Sequence, residues 1–263
     1  MKLAILTLLI ASSVSLQAKI IGKAVDYTVG SETFKGYLTF DSSIKGKQPA
    51  VIVVHEWWGL NEYPRKRAEM LAKLGYVAFA ADMYGNGKVA DNPGDAQKAA
   101  AESTKDPAAL KARFLAAIEV VKKEKHVDPH RIAAIGYCYG GGVVLNMARA
   151  GVDLRGVVSF HGSLSTKTRA EKGSVTAKIL ICNGGADKFV SENDITNFKN
   201  EMESAGADFK FISYKGGLHA FTNPAATELG KKFNMPIAYN KQGDKNSWQD
   251  MRRFLQSVFA KHH

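Results

Sequence analysis

The chain has 263 residues, 45% of them hydrophobic, with a formal net charge of +11 and only two cysteines. That is enough apolar material for one substantial core, and without an internal repeat, low-complexity tract or long Pro/Ser linker a single domain over residues 19–263 is expected. The basic residues are dispersed in pairs such as Lys122-Lys123 and Arg252-Arg253, a solvated surface rather than a nucleic-acid site, and no nucleic-acid motif accompanies them.

At the start, Met1-Lys2 precedes the apolar run Leu3 to Ala11 and then small or polar residues to Ala18, the three-part plan of a secretory signal. A mature chain beginning at Lys19, periplasmic or secreted, is the expectation. Its charge would be +10, because Lys2 is the only charged residue lost. The apolar block falls short of the about 20 residues a membrane span needs, so no stable membrane anchor is expected. A retained N-terminal anchor is the alternative.

Ile20 to Val29 and Thr33 to Phe40, joined around Gly30-Ser31, read as an antiparallel pair. The run Ala50-Val51-Ile52-Val53-Val54 leads into His55-Glu56-Trp57-Trp58-Gly59, and further strands are expected near Tyr76, Arg131 and Arg155. Helical runs alternate with them. Asn61 to Leu74 carries Met70, Leu71 and Leu74, and Pro107 to Lys123 carries Leu110, Phe114, Leu115, Ile118 and Val121 as a stripe facing a sheet. Trp248, Met251, Phe254, Leu255 and Val258 mark a closing amphipathic helix.

Between the strand near Arg131 and a helix over Gly140 to Ala150 stands Gly136-Tyr137-Cys138-Tyr139-Gly140, a nucleophile elbow with cysteine in the usual serine's place. The flanking glycines remove the Cβ atoms that would collide in so sharp a turn. The helix start offers amides and a positive dipole end to a thiolate or oxyanion. A free thiol, with a reference pKa of about 8.5, is mostly protonated at neutral pH and needs a base. Downstream, Lys178-Ile179-Leu180-Ile181-Cys182 ends in Asn183-Gly184-Gly185-Ala186-Asp187, and the strand Asp208 to Tyr214 is followed by Lys215-Gly216-Gly217-Leu218-His219. The order nucleophile, acid, histidine, each in a loop after a strand, is that of the α/β-hydrolase fold: a mostly parallel sheet, here with an antiparallel N-terminal pair, and helices on both faces.

Glu56 after the early strand, Ala81-Asp82-Met83-Tyr84 after the next one, the Cys138 elbow, Asp187 and His219 together resemble the dienelactone hydrolase family, from about Val51 to the C-terminus. The resemblance implies a Cys138-His219-Asp187 triad, contact between Glu56 and the thiol, and oxyanion donors at the Trp57 and Tyr139 amides. It places the family's substrate-binding positions at Asn86 and Asn223, and Trp58 and Tyr84, near the predicted site, are further candidate substrate contacts. Chlorocatechol-pathway members hold a substrate carboxylate with two arginines where this chain has Asn86 and Asn223, and asparagine replaces neither their charge nor their bidentate geometry. With aromatic residues Trp57, Trp58, Tyr84, Tyr137 and Tyr139 nearby, a small neutral or weakly polar ester or lactone is the expected substrate, although each ring taken singly fits core packing as well.

The implied reaction is ester or lactone hydrolysis through a thioester and requires no metal or organic cofactor. A metal pair at His55 and Glu56 is discounted because adjacent residues at a strand end point apart. A carboxylate beside sulfur disfavours the thiolate, so Glu56 is expected to keep Cys138 protonated at rest and slow its oxidation. An acyltransferase or thiol peptidase with the same triad, or a non-catalytic thiol-based binding or redox module, are the rival readings. A Cys138–Cys182 disulfide is the minority option: a strand lies between them in the expected sheet, and two steps of about 4.8 Å exceed the span of the bond. Cys182 is expected to pack as a small hydrophobe. Phe221 to Gln242, with Pro224 and Pro236, is long for a connection and is expected to cover the site. The pattern does not encode the oligomeric state; a monomer is the favoured expectation.

Overall fold

The computed structural model describes residues 19–260; the export segment read at residues 1–18 lies outside them. Eight strands form one sheet: β1 (Ile20–Val29), β2 (Glu32–Asp41), β3 (Gln48–Val54), β4 (Val77–Ala81), β5 (Val127–Tyr137), β6 (Gly156–Phe160), β7 (Lys178–Gly184) and β8 (Phe209–Tyr214). Their spatial order is β1-β2-β4-β3-β5-β6-β7-β8. β1 pairs with β2, and β2 with β4, antiparallel; every other neighbour is parallel. This is the α/β-hydrolase fold.

The strand sequences explain why both faces are covered. Ala50, Ile52 and Val54 of β3 enter one apolar cluster while Val51 and Val53 enter the other, and β7 divides the same way between Ile179/Ile181 and Leu180/Cys182. Residues alternating across a strand and apolar on both faces require helices on both sides. α3 (Pro107–Lys122), α4 (Tyr139–Arg149) and α5 (Glu192–Ala205) supply Phe114, Val144 and Phe198 to the first cluster, whereas α1 (Glu62–Ala72) and α7 (Lys241–Phe259) supply Leu71, Met251 and Leu255 to the second.

Three helices were absent from the sequence expectations, and two of them carry clear start signals. α2 (Pro93–Thr104) starts at Asn92, whose side chain accepts from the Asp95 amide, with proline next. α5 starts with a reciprocal capping box between Ser191 and Asp194 and stops at Gly206 in the left-handed region. Both signals stand in the sequence, but alanine-rich α2 and polar α5 lack a wide apolar stripe. Phe221 to Gln242 contains the eight-residue α6 (Ala226–Phe233), and its Leu229, Phe233 and Met235 pack against the cluster around Trp58.

β3 lies between β4 and β5, so the chain leaves it in one direction through α1 and crosses back to its other side through α2 and α3. The carboxyl ends of β3 and β5 flank this switch point, where parallel sheets open a crevice. His55 to Trp57 follow one strand and Cys138 the other.

Candidate active site

Cys138 occupies the turn between β5 and α4 at φ 52°, ψ −115°, a left-handed conformation costly for a residue with a Cβ. Its glycine neighbours make the turn possible: a Cβ on Gly136 would stand 2.0 Å from the Gly140 carbonyl oxygen, and one on Gly140 would stand 2.4 Å from that of Val54. The Gly140 amide donates to the His55 carbonyl at 3.1 Å, tying the start of α4 to the β3 loop.

The loops after β7 and β8 bring the other two groups to this turn. His219 Nε2 lies 3.1 Å from Cys138 Sγ, and His219 Nδ1 lies 2.9 Å from Asp187 Oδ2. Asp187 is buried, and its second oxygen accepts from the Phe189 amide at 2.8 Å. The three groups expected from the sequence therefore form one hydrogen-bonded row. Burial alone would lower the His219 imidazole, but the adjoining Cys138 sulfur and the bond to Asp187 outweigh it and push it up to about 10. The second thiol is unlike the first: Cys182 is fully buried, and burial pushes it up to about 12. Both cysteines are free, with β6 paired between β5 and β7 as expected.

Glu56 is 2% exposed. Its Oε2 accepts from the Asn223 side-chain amide at 2.6 Å and its Oε1 has no hydrogen-bond partner. Among the described residues no hydrogen bond joins Glu56 to the Cys138 thiol, whose partner is His219. Burial raises the Glu56 carboxyl to about 7, the Asn223 bond and the cations His219 and Arg67 offsetting only part of that. Asn223 is itself buried, and its Oδ1 accepts from the Ala225 amide at 2.9 Å, so both ends of its amide are engaged inside the protein. Asn86 is exposed, on a left-handed turn at φ 54°.

The Trp57 and Tyr139 amides donate no hydrogen bond among the described residues. The aromatic residues divide. Trp58 is buried and stacks on Phe233 at 6.0 Å, and Tyr137 is core, stacked on Phe160 at 4.7 Å. Tyr84 donates its hydroxyl to the Trp57 carbonyl at 2.9 Å, and the Tyr139 hydroxyl meets that of Ser103 at 2.8 Å. His55 is fully buried with both ring nitrogens on backbone: Nδ1 to the Glu56 carbonyl at 2.6 Å and Nε2 accepting from the Met83 amide at 3.2 Å.

Sequence reasoning passed over His161. It follows β6 as Cys138 follows β5 and Asp187 follows β7, and that strand-end position is the signal that could have found it. Its Nδ1 accepts from the Cys138 amide at 3.1 Å and its Nε2 lies 2.8 Å from Thr222 Oγ1. Arg67 was passed over too. Buried beneath the histidine loop, it donates to the Thr222 carbonyl and pairs with Asp244 at 2.6 Å.

Known proteins resemble this chain over most of its length. A relative from Aquifex pyrophilus, protein usf, is 31% identical over 233 residues, which is 84% of this chain and 98% of that one. A protein of Aquifex aeolicus provisionally named carboxymethylenebutenolidase is 30% identical over 208 residues, covering 77% of this chain and 87% of that one. The crystal structure of a dienelactone hydrolase-like promiscuous phosphotriesterase from metagenomic libraries superposes with a TM-score of 0.86 at 30% identity, over 92% of this chain and 99% of that one. The sequence pattern of the dienelactone hydrolase family matches residues 34–259, and the chain belongs to that family.

Proposed function

We propose that the protein hydrolyses small neutral or weakly polar carboxylic esters or lactones, with Cys138 as nucleophile, His219 as acid and base, and Asp187 as its orienting carboxylate. The observation that carries this reading is the unbroken row from Cys138 Sγ through His219 to Asp187. In the proposed cycle the Cys138 thiolate attacks the carbonyl carbon. The tetrahedral oxyanion then takes hydrogen bonds from the Trp57 and Tyr139 amides, where removal of one such donor in other enzymes costs about 3–4 kcal/mol. As the C–O bond breaks, His219 Nε2–H passes its proton to the leaving alkoxide, and the acyl group stays on sulfur as a thioester. His219 next takes a proton from water, the hydroxide attacks the thioester, and the carboxylic acid leaves with return of the thiolate.

Substrate class follows from what is absent at two positions. With asparagine at 86 and 223, and Asn223 bonded inward to Glu56, no guanidinium stands there to hold a dianion. A neutral phosphotriester, the substrate class in the name of one structural relative, shares that lack of charge and is the second class to assay. The export pattern at residues 1–18 makes the periplasm or the exterior the proposed setting.

Assay of p-nitrophenyl esters of graded chain length and of small lactones, with wild type and Cys138→Ala, tests the reading. Turnover confined to short acyl chains and lost in the variant is expected; a preference for long chains, or equal turnover by the variant, contradicts it. Product analysis with added alcohol or amine separates hydrolysis from acyl transfer.

A further inference from the structure

His161 is fully buried, at φ 39°, and belongs to none of the three groups in the catalytic row. Its surroundings are nonetheless built around two of them. On one side Nδ1 accepts from the amide of Cys138, the nucleophile candidate, an N–H it shares with the Phe160 carbonyl at 3.0 Å; on the other Nε2 faces the hydroxyl of Thr222, three residues after His219. The ring packs edge-on against that of His219 at 5.3 Å and of Phe221 at 5.4 Å. Thr222 is fixed in turn: its hydroxyl meets that of Tyr63 at 2.6 Å, and its carbonyl accepts from Arg67, which is paired with Asp244.

The hydrogen-bond directions determine the state of the ring. A backbone N–H can only donate, so Nδ1 must carry a lone pair, and Nε2 must then carry the proton and donate to Thr222 Oγ1. Burial, the neighbouring His219 and Arg67 all favour this neutral form. The imidazole is thus a rigid spacer with an acceptor toward the elbow and a donor toward the histidine loop. Two strained segments meet it, with Cys138 at φ 52° and Ala220, next to His219, at φ 58°.

We propose that His161 is a positioning residue: by joining the Cys138 amide to Thr222 it sets the separation between the thiol and the His219 imidazole. This rests on the reading of Cys138 as nucleophile. An error of about 1 Å in such a separation can cost roughly 100-fold in rate.

Thr222 allows a test that leaves both histidines and the elbow intact. Thr222→Val keeps the shape and removes the hydroxyl; Thr222→Ser restores it; His161→Phe removes both bonds. With p-nitrophenyl acetate, kcat per titrated active site should fall at least tenfold in Thr222→Val and His161→Phe with KM within about threefold, and Thr222→Ser should recover most of it. The rate of Cys138 alkylation by iodoacetamide at pH 7, read by peptide mass, should fall in parallel. The double variant Thr222→Val/His161→Phe should lose little beyond either single one, as groups in one chain do. Folded Thr222→Val with kcat and alkylation rate within threefold of wild type overturns the proposal. If His161→Phe does not fold, the threonine pair still decides. Alkylation also separates the two readings: a changed rate in a protein that hydrolyses no ester supports the positioning role while ending the hydrolase proposal.

Discussion

The Glu56 carboxylate and the Asn223 side-chain amide meet at 2.6 Å across 167 residues of sequence, joining the loop after β3 to the loop that carries His219. The bond leaves the other Glu56 oxygen buried without a partner, and burial holds the carboxyl at about 7 rather than the ordinary 4.5. Between these values the folded protein keeps a proton that the unfolded chain has released. Stability supplied by the neutral acid is therefore complete below about 4.5 and lost as pH rises through about 7. Glu56→Gln, neutral at every pH and able to accept the same Asn223 bond, should abolish that contribution. The difference in unfolding free energy between variant and wild type should grow by on the order of 3 kcal/mol across the window. Denaturant titrations from pH 4.5 to 8 read it, and a constant difference contradicts the assignment.

The same substitution bears on the thiol. As Glu56 ionises it adds negative charge beside His219, which opposes formation of a second anion at sulfur. Glu56→Gln should therefore alkylate severalfold faster with iodoacetamide at pH 8, its profile displaced to lower pH. Superimposable profiles would falsify a restraining role for Glu56.

The elbow tolerates no side chain at Gly140. Its Cβ would meet the carbonyl oxygens of Val54 and His55 at 2.4 and 2.6 Å, and both are backbone, so no rotamer change relieves the clash. Gly140→Ala should cost at least the about 1–3 kcal/mol typical of overpacking and lower esterase turnover 100-fold or more. Thermal unfolding and kcat measured on one preparation check both.

Arg149 at the end of α4 and Glu201 in α5 form a buried two-pronged pair, 2.9 Å for each bond, and Arg149 also donates to the Leu164 carbonyl. Glu201→Ala strands a buried guanidinium and should cost about 3–5 kcal/mol, with kcat of the remaining folded protein unchanged because the pair touches none of the reacting groups. Urea unfolding and active-site titration separate the two effects.

The sheet and the hydrogen-bonded row of Cys138, His219 and Asp187 were legible because their parts are written locally. The two-faced apolar runs of β3, β5 and β7 define the parallel core; Cys138 stands directly after β5, Asp187 in the loop after β7 and His219 in the loop after the half-exposed β8. What escaped depends on the third dimension. Nothing local to Asn223 announces that its amide turns inward to Glu56, and His161 gains its meaning only because β6 pairs between β5 and β7 and sets it against the elbow. Trp58 is buried under α6, a helix hidden in sequence by Pro224, Gly230 and Pro236.

The central claim is that sulfur carries the acyl group. Wild type quenched with acid during turnover of a slowly hydrolysed p-nitrophenyl ester should show an added acyl mass on the peptide containing Cys138, released by hydroxylamine and absent from Cys138→Ala, whose kcat should fall at least 1,000-fold. Undiminished turnover by Cys138→Ala, or an acyl adduct on any other residue that forms and decays at the rate of turnover, would contradict the account.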